Sequence, residues 1–194
     1  MRDSVKEIIE SYNPDAPLAE AYTIPAPWYV DQRLFDLERR TVFSGSWQMV
    51  GRAEQLSEPG QYITREIAGE PILIIRGADR ILRGLYNVCR HHAAAVVTEP
   101  EGRAQNLLRC PYHGWTYTIE GQLKGATDLA GICNFDRAAN GLVPVEAAVW
   151  ENWVFVKLER DGPSLEEFLG ADFVEQVRPV GLEKLYWNEL LRPP

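Results

Sequence analysis

The sequence predicts a mainly β protein, an antiparallel sandwich or small barrel with an N-terminal helix and a short helical C-terminal tail. Three observations carry this. From Trp47 to Leu158 the chain runs in short segments that alternate apolar and polar residues or are rich in β-branched ones, as half-buried strands do. Turn-forming triplets, among them Glu58-Pro59-Gly60 and Glu120-Gly121-Gln122, separate these segments at short intervals. Helical spacing of apolar residues belongs to the flanks of this stretch.

Taken in order, residues 1–44 form an arm and a helix. SVKEIIES suits a short first helix, and the prolines of NPDAPLAEAYTIPAPW then disfavour helix at each residue before them. Asp31 is a plausible N-cap for a second helix, whose Leu34, Leu37 and Thr41 to Phe43 recur at helical spacing up to Gly45. Residues 45–160 carry the strand segments WQMVGR, QYITREI, PILIIR, ILRGLYNV, NLLRC, WTYTI, VEAAVW and WVFVKL. Ala68-Gly69-Glu70 and Gly77-Ala78-Asp79 mark further turns, and Glu151-Asn152 closes a hairpin between the last two segments. In residues 161–194, Ser164 and Glu167 make a capping box that opens a helix, and LYWNELLRPP ends on two prolines.

Composition narrows the function classes. With 28 acidic residues against 20 basic ones the chain carries a net charge of −8, which argues against nucleic acid or an anionic membrane and favours a basic docking protein. The first residues are charged and interrupted by Pro14, without the apolar core of a secretory signal, and no later run approaches a membrane span; a cytoplasmic location is expected. Three cysteines are too few and too odd in number for a disulfide framework, so metal ligation is the better use for two of them.

Residues 89–115, CRHHAAAVVTEPEGRAQNLLRCPYHGW, hold two of those cysteines and all three histidines of the chain. Cys89-x-His91 and Cys110-x-x-His113 each offer one thiolate and one imidazole, together a mixed site with four protein ligands. Two occupants suit it: a structural zinc ion, or a 2Fe–2S cluster with the sulfurs on one iron and the imidazoles on the other. Zinc sites usually pair Cys with Cys and His with His at close spacing, which this sequence does not do, so the cluster fits better. Pro111 stiffens the second loop. Gly114 lets backbone approach an inorganic sulfide, with amide N–H groups free to donate to it, and Tyr112 and Trp115 supply an apolar wall.

The run C-R-H-H-A…C-P-Y-H-G-W-T-Y resembles the Rieske iron–sulfur motif carried by α subunits of Rieske non-haem iron oxygenases, which include the ring-hydroxylating oxygenases and the choline and glycine-betaine monooxygenases. The similarity extends from about Ala21 to about Leu158. It implies that Cys89 and Cys110 bind one iron and His91 and His113 the other, with Arg90, His92, Tyr112, Gly114 and Trp115 around them. It also implies electron transfer from an NAD(P)H-dependent reductase or ferredoxin, and a homotrimer for the full-length family. Two neutral imidazoles in place of two thiolates leave the cluster less negative, which raises its potential into a window of about −150 to +300 mV. Respiratory Rieske proteins add a loop disulfide and a serine hydroxyl near the cluster. Ala94, Tyr112 and Trp115 stand at those positions here, so the low end of the window is expected.

A Rieske oxygenase performs its chemistry at a mononuclear Fe(II) held by two His and a carboxylate. With His91 and His113 occupied, only His92 remains, so no such triad can be assembled within these residues. The expectation is therefore the electron-transfer domain of an oxygenase, mono- or dioxygenase, whose catalytic domain follows it. A free-standing Rieske ferredoxin is the alternative, and a zinc-stabilised binding module the third. His92 reads as a surface or neighbouring residue, Cys133 as a structural thiol, and Trp28, Trp47, Trp150, Trp153 and Trp187 as packing residues.

Overall fold

A computed structural model describes residues 3–127 and 129–185. Helix α1 (Val5–Glu10) is opened by a reciprocal capping box between Ser4 and Glu7, and the indole of Trp28 donates to the Ile8 carbonyl at 3.0 Å, tying the arm to it. A four-residue turn of helix, α2 (Pro27–Val30), leads through the N-cap Asp31 into α3 (Gln32–Glu38). The expected helix does continue towards Gly45, but residues Arg39–Phe43 wind as a π-helix. There Arg39 donates twice to the Ala68 carbonyl, at 3.1 and 2.9 Å, and fixes the helix against a β turn.

Ten strands follow: β1 (Gln48–Arg52), β2 (Gln61–Ile67), β3 (Glu70–Arg76), β4 (Leu82–Tyr86), β5 (Glu101–Arg103), β6 (Leu107–Arg109), β7 (Thr116–Thr118), β8 (Leu123–Gly125), β9 (Pro144–Trp150) and β10 (Trp153–Lys157). Seven form one antiparallel sheet in the order β1-β10-β9-β4-β3-β2-β5, and the other three form a second sheet, β6-β7-β8. Strand β9 joins the two halves of the large sheet, pairing β10 along Glu146 to Trp150 and β4 through Pro144 and Val145.

The large sheet curls on itself, and β3 shows why. Its PILIIR run is buried on both faces: Ile72 and Ile74 enter one core, Leu73 and Ile75 the other. The first core packs β2 and β3 against β1 and β10 through Ile63, Ile67, Val50, Val154 and Val156. The second places Leu73, Ile75 and Leu85 beneath the small sheet, against Leu108, Tyr117 and Leu123, with Cys89, Cys110 and Trp115 in the same cluster. Each such aliphatic side chain contributes about 1.5–3 kcal/mol by leaving water. The second core therefore holds the two cysteine loops as a unit.

The hairpin at Glu151-Asn152 forms as expected, with Trp150 opposite Trp153. The Ser164–Glu167 capping box opens α4 (Leu165–Leu169), and α5 (Ala171–Val177) follows it. Strands β5 and β8 and helices α2 and α5 were not anticipated. The fourth strand segment, expected to reach Val88, stops at Tyr86: the Asn87 amide still donates to the Pro71 carbonyl opposite it on β3, but Pro71 has no N–H to return the bond. Trp187 and most of LYWNELLRPP lie outside the described residues.

Candidate metal centre

Two loops from different sheets meet over the second core. The first leaves β4 and carries Cys89 and His91; the second is the turn of the β6-β7 hairpin and carries Cys110 and His113. Both adopt the same backbone turn. In the first, the Ala93 amide donates to the Cys89 carbonyl at 3.0 Å and the Cys89 amide to the Ala94 carbonyl at 2.8 Å. In the second, the Gly114 amide donates to the Cys110 carbonyl at 3.1 Å and the Cys110 amide to the Trp115 carbonyl at 2.8 Å. The fourth residue after each cysteine takes a left-handed conformation, φ 57° at Ala93 and 76° at Gly114. Gly114 takes this conformation without the strain that a side chain brings, although Ala93 shows that the turn tolerates one. The Gly114 amide is itself committed to the Cys110 carbonyl within the loop.

Asn87 anchors the first loop. Its buried side chain accepts from the amides of Val96 and Val97, at 3.1 and 2.9 Å, and donates to the Val97 carbonyl at 2.7 Å. The thiols of Cys89 and Cys110 are buried, at 3% and 2% exposure, while His91 and His113 are half-buried. The His91 ring lies flat on Trp115, centroids 4.8 Å apart and planes within 5°, and 4.7 Å from the His113 ring, nearly perpendicular to it. Phe135 meets Trp115 edge-on at 5.8 Å and completes the apolar wall. Tyr112 does not belong to that wall: its ring is 64% exposed and covers His113 from outside, because the residue before an inward-facing His sits on the outer side of the loop tip.

Sequence reasoning did not single out Tyr117. In β7 it is fully buried; its hydroxyl accepts from the Arg90 amide at 3.0 Å and lies 3.3 Å from the Cys89 sulfur. Burial, and then the hydrogen bond to Cys89, push its phenol well above the usual range, so it stays protonated. A thiolate has no proton to give, so a phenol at this distance donates to it. The missing serine hydroxyl thus has a counterpart on a neighbouring strand. The signal was the alternation of WTYTI, which turns Tyr117 inward beside the cysteines. Arg90 contributes its backbone here while its side chain is exposed to solvent, and Cys133, expected to be structural, lies on the surface.

Donor separation tests what the site can hold. Around one tetrahedral zinc, sulfur and nitrogen donors would all lie within roughly 4 Å of one another. Among the described residues the donors that gather around one point are the imidazoles of His91, His92 and His113, within 4.8 Å of one another and still wider than a bound ion would hold them, and neither thiol joins them. Sulfur on one side and imidazole on the other is the arrangement a two-iron cluster needs. The His113 Nδ1 is buried without a hydrogen-bond partner, a state that costs about 1–3 kcal/mol unless a ligand bonds the atom. The residues present fit a Rieske-type cluster.

Comparison with known proteins agrees. Residues 46–136 match the family described as Rieske [2Fe-2S] domain. The carnitine monooxygenase oxygenase subunit of Escherichia coli (strain K12) is 39% identical over 178 residues, 90% of this chain and 47% of that protein. The chloroplastic choline monooxygenase of Arabidopsis thaliana is 34% identical over 79% of this chain and 36% of its own length. The apo crystal structure of the quaternary ammonium Rieske monooxygenase CntA superposes with a TM-score of 0.77 at 33% identity, covering 82% of this chain and 46% of that one. The chain thus spans less than half the length of these relatives. No helix among the described residues is long and apolar enough to cross a membrane. Matching donors, fold and relatives together place this chain in the Rieske 2Fe–2S domain family, in the form carried by Rieske oxygenase subunits.

Proposed function

We propose that Cys89 and Cys110 hold one iron of the cluster and His91 and His113 the other, and that the chain is the electron-entry part of an oxygenase. The observation that carries this is the pair of equivalent turns that bring two buried thiols and two half-buried imidazoles over one core. When bound, the cluster accepts and passes on one electron at a time. The protein's own part is to exclude water from the sulfurs with Trp115, Phe135 and Leu108, and to leave the imidazole side near the surface, where a partner can approach.

The electron donor in this reading is an NAD(P)H-dependent reductase or ferredoxin, with a basic docking face complementary to the net charge of −8. The acceptor is a mononuclear Fe(II) site outside these residues, since all three histidines of the chain already stand at the cluster end. The curated relatives act on carnitine and choline by name, which supports a monooxygenase of a quaternary ammonium compound as the parent activity, with assembly as a homotrimer. Free thiols suit a reducing compartment and thus the cytosol.

The test is elemental and spectroscopic. Purified protein should contain iron and acid-labile sulfide in equal amounts, with an electron paramagnetic resonance signal of Rieske type after dithionite. His91→Ala and His113→Ala should each abolish it. Stoichiometric zinc held by the Cys89 and Cys110 thiolates, without sulfide, would overturn the reading. With reductase and ferrous iron, the 194-residue chain should cycle electrons without hydroxylating carnitine, choline or glycine betaine.

A further inference from the structure

We propose that, before a cluster is assembled, His91, His92 and His113 form a three-imidazole site for a divalent ion of the zinc or cobalt type. Nitrogen donors of the three lie within 4.8 Å of one another. Their rings stand 3.9 Å apart for His91 and His92, 4.7 Å for His91 and His113, and 5.2 Å for His92 and His113. No cluster ligand set needs the third imidazole, which the sequence placed on the surface.

Closing this group on an ion is a small movement. Zinc–nitrogen bonds of about 2.0–2.1 Å put donors roughly 3.4 Å apart, so the widest pair, at no more than 4.8 Å, must approach by up to about 1.4 Å. His92 can supply it: the residue is exposed at the loop tip and is followed by Ala93, Ala94 and Ala95, which present no bulk against a swinging ring. Three protein nitrogens leave a fourth position for water, as in open zinc sites. His113 brings a buried Nδ1 that has no other partner.

Two of these imidazoles are the proposed cluster ligands, so the ion and the cluster exclude each other; that clause rests on the reading above, whereas the three-imidazole site does not. Imidazole donors bind cobalt, copper and zinc more tightly than ferrous iron. Cluster-free chain that meets zinc first is thereby held in a form that cannot accept iron and sulfide until the ion is removed. His92 sets the strength of that block.

The experiment uses the full chain produced under iron limitation and freed of metal, with circular dichroism to show that each variant keeps its β fold. Cobalt(II) is titrated in, followed by its visible absorption, and zinc is used to displace it. One cobalt per chain is expected, with a tetrahedral spectrum lacking the intense sulfur-to-cobalt charge-transfer band. His92→Ala should bind at least ten-fold more weakly yet still assemble a cluster from iron and sulfide, and Cys89→Ser and Cys110→Ser should bind cobalt like the parent chain. Failure to bind cobalt, a thiolate charge-transfer band, or unchanged affinity in His92→Ala would overturn the proposal. Loss of cluster assembly in the parent chain with cobalt binding intact would instead overturn the cluster reading and leave this site standing.

Discussion

The hydroxyl of Tyr117 lies 3.3 Å from the sulfur of Cys89 while accepting the Arg90 amide at 3.0 Å, so its own proton is directed at the sulfur. A donor to a thiolate stabilises the more negative, reduced state of a cluster more than the oxidised one. Tyr117→Phe removes the donor and keeps the buried ring. The midpoint potential should fall by on the order of 60 mV, the equivalent of a tenfold change for one electron. A redox titration followed by electron paramagnetic resonance measures this, and an unchanged potential would show that the hydroxyl does not act on the sulfur.

Much of this site was legible in the sequence because its signals are local. Cys89-x-His91 and Cys110-x-x-His113 are read directly, and the alternation of QYITREI gives β2 residue for residue. What escaped depends on distant contacts. Strand β5 is the exposed segment Glu101–Arg103, without an apolar face; it exists only because β2 offers a free edge from Gln61 to Ile63. Strand β8 is likewise three residues long, too short for a period to register. Asn87 and Tyr117 look like ordinary strand residues until the fold sets them against loops 10 and 28 residues away.

Asn87 supplies a prediction of stability. Asn87→Ala would leave the buried amide of Val96 and that of Val97 without their acceptor and the Val97 carbonyl without its donor. Leaving such groups unpaired costs about 1–3 kcal/mol each, less whatever water recovers, so a loss of about 3 kcal/mol is expected. Urea unfolding measures it. Amide exchange at Val96 and Val97 should accelerate more than in the core around Ile63. A loss below 1 kcal/mol would mean that the loop is held by other contacts.

Acid should act at the turn between β3 and β4. Arg83 donates to both carboxylate oxygens of Asp79, at 2.8 and 2.6 Å, and the Ile81 amide donates at 3.0 Å; these bonds, the Arg83 pair first, hold the Asp79 carboxyl down to about 2. An unfolded aspartate titrates near about 3.9. The folded value lies below the unfolded one, so the contribution is complete above about pH 5 and is lost as pH falls from about 4 through 2. Asp79→Asn lacks this titration. The stability gap between parent and variant should therefore close across that acid range, as read by thermal unfolding at a series of pH values. A gap independent of pH would exclude the ion pair as its cause.

Lys157 and Glu146 should respond unequally to substitution. The Lys157 side chain is 1% exposed, and its ammonium donates to Glu146 at 3.1 Å and to the Pro163 carbonyl at 3.0 Å, beside the Trp47 ring at 5.2 Å. The Glu146 side chain keeps 35% of its surface in water. Removing the carboxylate with Glu146→Ala leaves a charge in the interior with one neutral acceptor, a change that costs about 3–5 kcal/mol at fully buried pairs and somewhat less here. Removing the charge with Lys157→Met leaves a carboxylate that solvent can reach, and an unbranched apolar chain of similar length against Trp47. That variant should lose under about 1.5 kcal/mol. The Pro163 carbonyl keeps its second donor, the Trp47 indole at 3.1 Å, so the segment leading into α4 stays in place. Urea midpoints for the two variants and their double mutant measure the difference. Equal losses, or a larger one for Lys157→Met, would mean that the ammonium stabilises the fold through Pro163 and Trp47 and not through Glu146.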